Sequence, residues 1–200
     1  MGKSTWTAQL KRKLLDEGAE PEVVSSDDIA YEICEELSGK PNVEQIPGAP
    51  VGAAGAIDYS TVWQLHGDEI EARYEARVSS GLARGNIVVV DRTFTTVARR
   101  AAALQLGLGV HPQLLSICVS FAINDNASYE RNLSLRNSQL PDKQITPSIL
   151  SAIKAGAVPP SQDEGFSLIL QSKAILEEGW EQVHSDCIGA VINRVFPPLA

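Results

Sequence analysis

The segment 86–91, which reads NIVVVD, constrains the fold of this chain more than any other feature. Its β-branched residues follow one another without polar alternation, a pattern that is typical of a parallel strand covered on both faces. Further apolar runs at 22–26, 114–121 and 167–170 are separated by longer segments of helical character. Strands and helices that alternate in this way predict an α/β fold with an open, mostly parallel sheet.

Helical periodicity fills the stretches between these runs. It is clearest at 59–82, where an apolar residue recurs every four positions from Ile70 to Leu82 and so marks one face of a helix. The other helices are expected at 5–17, 29–37, 95–105, 127–138, 149–155 and 175–183. The segment 38–56 is rich in glycine, proline and alanine, which indicates a long loop.

The composition is that of one globular domain over residues 1–200. Hydrophobic residues make up 44% and charged residues 21% of the 200 positions, enough to form a sizeable core. The formal net charge of −8 excludes binding to duplex nucleic acid by bulk electrostatics, since that requires a concentrated positive face. A local basic groove remains compatible with this charge.

Cysteine usage and hydropathy bear on the compartment. The three cysteines are far apart and form no C-x-x-C pair, which argues against a disulfide framework or a zinc site and favours a reducing cytoplasm. The stretch 101–124 carries no charged side chain, but Gly107, Gly109 and Pro112 interrupt it. We therefore expect a helix end, a turn and a strand there, and no membrane span.

The chain opens with Gly2-Lys3-Ser4-Thr5, the second half of the phosphate-loop pattern G-x-x-x-x-G-K-[ST]. In such a loop the lysine reaches the β- and γ-phosphates and the serine holds Mg²⁺, while the helix that follows presents its positive end to the anion. Four residues at a chain end also arise by chance, so a solvated terminus without function is the alternative interpretation.

Two aspartates and two arginines stand where this chemistry would need them. Asp27 and Asp91 each close a predicted strand, at the sheet edge where open α/β proteins bind ligands. Arg131 and Arg136 lie on a polar helix after the next strand, and we expect a phosphate lid near 127–143.

Each of these residues also has a purely structural interpretation. Asp27 and Asp28 would serve as N-caps of the next helix, and Asp91 would be a polar strand end. The two arginines would form weak surface pairs with Asp125 and Glu130.

Taken in order, five segments resemble P-loop kinases of the polynucleotide-kinase type over residues 2–166. They are Gly2 to Trp6, Ser25-Ser26-Asp27-Asp28, Val89-Val90-Asp91-Arg92-Thr93, Arg131-Asn132 with Arg136, and Pro160 to Phe166. The resemblance implies a three-layer α/β/α P-loop NTPase fold and an ATP-dependent kinase, a phosphotransferase that binds ATP and Mg²⁺.

The resemblance also implies roles for single residues. Gly2, Lys3, Ser4 and Thr5 match nucleotide-binding positions, with Ser4 at the metal. Asp27 matches the general base that takes a proton from the attacking hydroxyl, and Asp91 matches an essential acidic residue beside the phosphate loop. Arg136, in preference to Arg131, matches the lid arginine that clamps the phosphates of ATP.

The chain departs from the family pattern in three ways. The family has a strand and the first half of the loop before Gly2, where this sequence has only Met1. Because that strand is the central one and its loss would leave backbone groups unpaired at about 1–3 kcal/mol each, we expect the natural protein to begin upstream. Ala30 stands where polynucleotide kinases have an arginine that meets nucleic-acid phosphate. Arg131 and Arg136 are five residues apart and diverge by roughly 140° on a helix, so only one of them would clamp phosphate.

Three functions follow as hypotheses. The first is an ATP-dependent kinase acting on a hydroxyl acceptor (a nucleic-acid 5′-hydroxyl, a nucleoside or a small alcohol), with Ala30 and the net charge favouring a small acceptor or a single-stranded end. The second is a nucleotide-binding regulatory module or an inactive truncated relic. The third is a toxin-type kinase that acts on a nucleotide sugar.

Overall fold

A computed structural model describes residues 3–38, 59–122, 126–139, 146–173 and 178–197. The described elements, in chain order, are α1 (Lys3–Asp16), β1 (Glu22–Ser25), α2 (Ser26–Ser38), α3 (Tyr59–Ala83), β2 (Val88–Asp91), α4 (Val97–Val110), β3 (Ile117–Ala122), α5 (Asn126–Gln139), α6 (Pro147–Gly156), β4 (Leu168–Lys173) and α7 (Trp180–Val195). Helices and parallel strands alternate along most of the chain, which confirms the α/β class.

The strands form two separate parallel pairs. β1 pairs with β2, so that Ser25 lies opposite Asp91, and β3 pairs with β4, with Ile117 opposite Leu168. The prediction of parallel strands is therefore confirmed. The predicted open sheet is present as two separate pairs, because within the described ranges each strand hydrogen-bonds to one neighbour only.

Strand β2 is covered by helices on both faces. Its residues Val88 and Val90 pack against the core cluster of α2 and α3. Val89, together with Ile87 just before the strand, packs against a second cluster formed by α1 and α7. Since successive side chains of a strand point to opposite faces, this strand lies between two helical layers, as its unbroken apolar run predicts.

Each helical layer has its own buried apolar core. In the first, Ile29 and Ile33 of α2 meet Val62 and Ile70 of α3, and each is at most 1% exposed. The second is formed by Trp6, Leu10 and Leu14 of α1 with Cys187, Ile188 and Val191 of α7. Burial of each large apolar side chain contributes about 1.5–3 kcal/mol, so these two clusters hold α1 and α2 firmly at the strand ends.

Helix α3 changes direction at one residue. Two arginine–glutamate pairs, Arg73 with Glu36 and Arg77 with Glu32, show that its main part runs antiparallel to α2. The backbone at His66 is non-helical (φ −122°, ψ 21°), and Gly67 follows it. Glycine weakens a helix at such a point. The break allows the first turns of α3 to lie against the start of α2 instead.

A buried ion pair fixes the segment that follows β2. The guanidinium of Arg100 in α4 donates to both carboxylate oxygens of Glu164, at 2.6 and 2.7 Å, and the two side chains are 4% and 7% exposed. Arg100 also donates to the carbonyls of Phe94 and Val158. The chain leaving the end of β2 is thereby attached to the segment before β4.

Several predicted boundaries are wrong, for identifiable reasons. α2 begins at Ser26, three residues before the predicted start, because Oγ of Ser25 accepts a hydrogen bond from the backbone N–H of Asp28. The last helix, predicted at 175–183, is α7 and spans Trp180–Val195. Residues 175–177 of the predicted range lie outside the described residues. From residue 39 on, the predicted loop also lies outside them. In the described part of the chain no helix has the length and apolarity that crossing a membrane requires.

Candidate active site

A cavity of about 240 Å³ lies where β1 and β2 end and where α1 and α2 begin. Carboxyl ends of parallel strands and amino ends of helices meet there, which is the usual ligand-binding edge of an open α/β sheet. Six of its lining residues are ionisable, three of each sign: Lys3, Asp27, Glu71, Asp91, Arg92 and Arg99. The cavity is therefore strongly polar but balanced in charge.

Lys3 stands at the first turn of α1 and faces the end of β2. Its Nζ lies 3.4 Å from Oδ1 of Asp91 and donates a 3.2 Å hydrogen bond to Oγ1 of Thr93. Asp91 is the last residue of β2, and its side chain is only 12% exposed. The ammonium group is thus held at the beginning of a helix, where an oxyanion is stabilised by both the cation and the helix dipole.

Asp27 projects from the first turn of α2 into the same cavity. Its Oδ1 accepts a 2.5 Å hydrogen bond from the hydroxyl of Tyr59, the first residue of α3. Burial, and secondly the hydrogen bond to Asp27, raise the pKa of Tyr59, so this phenol remains a proton donor to the carboxylate. Because Ser25 provides the cap, the alternative in which Asp27 and Asp28 are N-caps of α2 is wrong.

Arg92 and Glu71 form another wall of the cavity. The guanidinium of Arg92 binds the Glu71 carboxylate with two hydrogen bonds, one of them 2.7 Å long, and lies 4.7 Å from the centroid of the Tyr74 ring. The hydrogen bonds from Arg92 hold the pKa of Glu71 below its usual value. Both charges are therefore engaged with each other inside the wall.

The structure brings some predicted site residues together and not others. Lys3, Asp27 and Asp91 share the cavity. Ser4 and Thr5 are exposed on α1, outside the lining described for this cavity, and Gly2 lies outside the described residues. Both predicted lid arginines belong to α5: Arg131 is exposed and does not line the cavity, and the side chain of Arg136 falls outside the described part. Of the predicted lid at 127–143, the stretch 140–143 also lies outside it.

Sequence reasoning missed several lining residues. Arg92 and Ser26 each adjoin a predicted site residue, Asp91 and Asp27, and this adjacency was the available signal. Tyr59 and Trp63 are one helical turn apart, so they were identifiable as a pair on one face of α3 but not as neighbours of α2. For Glu71 no sequence signal existed, since it looks like any exposed glutamate of a long helix.

The donor atoms present suit magnesium carried on phosphates. Within the described ranges, no group of three or more His, Cys, Asp or Glu side chains is arranged to hold a metal ion. Mg²⁺ in phosphoryl-transfer sites is usually held by one or two protein oxygens together with substrate phosphates and water. The carboxylate of Asp91, which lines the cavity, is a hard oxygen donor of that kind, whereas the hydroxyl of Ser4, the predicted metal ligand, lies outside the lining.

Together, the α/β frame, the lysine at the start of α1 and the acidic end of β2 define a nucleotide-binding domain of the P-loop class. The sequence profile of the AAA domain family matches residues 1–149, and the chain belongs to that family. The family is P-loop kinase-like and includes kinases of the polynucleotide-kinase type among others. The resemblance stated above is thereby confirmed at the level of the family. A comparison with curated proteins finds no match to this chain.

Proposed function

We propose that this chain is an ATP-dependent kinase of the polynucleotide-kinase type, which transfers the γ-phosphoryl group of ATP to a hydroxyl acceptor. One observation carries the proposal: Lys3, at the start of α1, and Asp27, at the start of α2, line the same small cavity. Phosphoryl transfer needs a cation at the transferring phosphate and a carboxylate beside the attacking hydroxyl. In this proposal the strands and helices are the frame of a three-layer P-loop NTPase.

The residues at the start of α1 hold the nucleotide. The ammonium of Lys3 leaves Asp91 and Thr93 to meet the β- and γ-phosphates, and the backbone N–H groups of Ser4 and Thr5, in the first turn of α1, face the same anion. Asp91, and Ser4 by the family resemblance, would hold Mg²⁺ together with the phosphates, and the ion would supply neutralisation of the charge that develops during transfer. By the family resemblance, we assign the lid arginine that clamps the phosphates to Arg136 of α5 in preference to Arg131.

Asp27 acts on the acceptor. Its carboxylate accepts the proton of the acceptor hydroxyl while the hydroxyl oxygen forms a bond to the γ-phosphorus, and the bond from that phosphorus to the β,γ-bridging oxygen breaks to release ADP. Tyr59 holds the carboxylate in one orientation through its 2.5 Å hydrogen bond. A fixed base of this kind removes much of the entropic cost of the transfer.

The surroundings of Asp27 favour a small molecule or a single-stranded nucleic-acid end as acceptor. Ala30, one turn after Asp27, is fully buried in the core of α2 and α3, and so no cation can stand there to meet the phosphates of a duplex. The cavity of about 240 Å³ also has to take the terminal phosphates of ATP at Lys3, which leaves room for a compact acceptor. A cytoplasmic location agrees with the absence of a disulfide bond between the cysteines of the described residues, Cys34, Cys118 and Cys187.

The test is transfer of radiolabelled phosphate from Mg·ATP to a panel of acceptors. The panel contains a single-stranded oligonucleotide with a 5′-hydroxyl, thymidine, glycerol, ribose and a uridine diphosphate sugar, and ADP release is measured in parallel. We expect labelled product from at least one member, and loss of it in Asp27→Asn but not in Asp28→Asn. Asp28 is the matched control because it occupies the same helical turn without lining the cavity.

Other outcomes support the alternatives. Binding of Mg·ATP without any labelled product favours a nucleotide-binding regulatory module. Labelling of the nucleotide sugar alone favours a toxin-type kinase. Equal labelling by the wild-type protein and by Asp27→Asn contradicts the assignment of the base.

A further inference from the structure

We infer that the acceptor is a small alcohol that carries an oxyanion, with its hydroxyl end at Ser26 and Asp27 and its anionic end at Arg99. This inference rests on the proposed kinase function and narrows its substrate class. It is drawn from groups in the cavity wall that the transfer itself does not use.

Ser26 provides the first observation. It is only 3% exposed, and its Oγ is buried without a hydrogen-bond partner among the described residues. It nevertheless lines the cavity beside Asp27. A buried hydroxyl without a partner is destabilising, and small polar molecules satisfy such a group when they enter the cavity. We therefore assign Ser26 as a direct contact to the acceptor.

Arg99 provides the second observation. Of the three cationic side chains in the cavity wall, Lys3 is paired with Asp91 and Arg92 with Glu71. The guanidinium of Arg99 forms no hydrogen bond or ion pair with the residues that the structure describes, and it lines the cavity. Arg99 is exposed, and its charge adds to the effect of Arg92 in lowering the pKa of Glu71. Among the three cations, its hydrogen-bond donors are thus the ones left for a ligand.

Arg99 does not stabilise helix α4 at the position where it stands. It lies in the first turn, where its backbone N–H donates to the capping Thr96. The positive end of the helix dipole is there, and a cation gains nothing from it. An oxyanion, in contrast, is attracted by both the dipole and the guanidinium, and guanidinium groups bind carboxylate and phosphate with paired hydrogen bonds.

The size of the cavity limits the rest of the acceptor. A volume of about 240 Å³ corresponds to roughly eight water molecules at about 30 Å³ each. In the proposed function the terminal phosphates of ATP take the part of this space beside Lys3. The part beside Ser26, Asp27 and Arg99 fits a molecule of a few carbon atoms with a hydroxyl at one end and an oxyanion at the other.

The experiment measures binding of matched probes by isothermal titration calorimetry. The probes are glycerol 3-phosphate, glycerate and glycerol, and ribose 5-phosphate and ribose, each titrated with and without a saturating, non-hydrolysable ATP analogue with Mg²⁺. We expect at least one anionic probe to bind at least tenfold more tightly than its neutral parent. Comparison of the affinities for glycerate and for glycerol 3-phosphate shows whether the preferred anionic group is a carboxylate or a phosphate.

Variants connect this preference to the two residues. Arg99→Gln should lower the affinity for the anionic probe at least tenfold and leave the affinity for its neutral parent unchanged. Ser26→Ala should lower the affinity for both probes. Arg194→Gln is the matched control, since Arg194 is an exposed arginine of α7 that does not line the cavity. Thermal unfolding of each variant verifies that it is folded before its affinity is compared.

The inference and the proposed function fail in distinguishable ways. Equal affinity for charged and neutral probes, or an anion preference that survives Arg99→Gln, overturns the acceptor assignment even when Mg·ATP binds. The acceptor assignment is also overturned when the single-stranded oligonucleotide of the acceptor panel binds tightly and the small probes show no preference for an anionic group. Failure of the ATP analogue to bind contradicts the kinase function alone, because the titrations without nucleotide still report on Arg99 and Ser26.

Discussion

The hydroxyl of Tyr59 and the carboxylate of Asp27 are joined by a 2.5 Å hydrogen bond that links the first turns of two helices. Burial keeps the phenol protonated by raising its pKa, so the donor is present across the neutral pH range. The carboxylate that we propose as the base is therefore oriented by a residue on a different element.

Replacement Tyr59→Phe tests this orientation. We expect kcat to fall by about tenfold with little change in KM for ATP, because the base keeps its chemistry but loses its fixed geometry. Tyr31→Phe, whose ring lies 5.3 Å from that of Tyr59, is the control and should retain kcat. A larger effect on KM than on kcat would place Tyr59 in nucleotide binding and not in positioning the base.

Lys3→Ala should abolish transfer. The loss of a cation aimed at the transferring phosphate typically lowers kcat by roughly 100-fold or more, and steady-state ADP release would measure it. Lys11→Ala, an exposed lysine on the same helix, should behave as wild type. Full activity of Lys3→Ala would refute the phosphate-loop assignment.

The two arginines of α5 should differ in their effect on catalysis. By the proposed assignment, Arg136→Gln lowers kcat by roughly tenfold or more, as expected for a cation lost from the transition state. Arg131→Gln should stay within about twofold, as is usual for an exposed arginine. The reverse order would assign the lid function to Arg131.

Glu164→Gln should destabilise the fold by about 3–5 kcal/mol at pH 7, because it leaves the Arg100 guanidinium buried without its counter-charge. The hydrogen bonds from Arg100 hold the pKa of Glu164 below the ordinary value of 4.5. A lowered folded-state pKa means that the unfolded chain binds more protons. The contribution is thus complete above the unfolded-state pKa and is lost as the pH falls through the folded-state value.

Urea unfolding of the wild-type protein and of Glu164→Gln at pH 7 and at pH 3 measures this difference. The gap in unfolding free energy should be largest at pH 7 and should shrink at pH 3. A gap that is independent of pH would show that the cost comes from packing and not from ionisation.

Gly81→Ala should destabilise the contact between α3 and the first strand pair. A Cβ at this position would lie 2.6 Å from Oε2 of Glu22 and 2.8 Å from Cγ2 of Val88, and such overpacking typically costs about 1–3 kcal/mol. Gly189→Ala in α7 is the matched control, since its Cβ would meet nothing within 4 Å. That control should gain up to about 1 kcal/mol from helix propensity. Thermal unfolding measures whether the unfolding temperature falls in Gly81→Ala and rises in Gly189→Ala.

The sequence predicted those parts of the fold that depend on local pattern. The unbroken run at 86–91 identified a strand with two covered faces, and the four-residue spacing from Ile70 to Leu82 identified the buried side of α3. That Asp27 and Asp91 would meet followed from parallel strands ending at one edge. Each of these inferences needs only the periodicity of one segment or the relative direction of two paired strands.

Features that depend on contacts between distant elements were not predictable. The pairing of Tyr59 with Asp27 requires the break in α3, and the burial of Glu164 requires Arg100 from another helix. The start of α2 was misplaced because Ser25, and not an aspartate, supplies the cap. Local propensity gives similar weight to both kinds of cap, and tertiary packing decided between them.

The break at His66 divides the 25-residue helix α3 into a short arm and a long one. The long arm is bound to α2 by buried apolar side chains and by arginine–glutamate pairs, whereas Tyr59 and Trp63 both ride on the short arm. Val62 lies on the same short arm and is buried against Ile29 and Ile33. The aromatic side of the cavity is therefore anchored in the hydrophobic interior, and a substitution in that interior would be felt at the ligand.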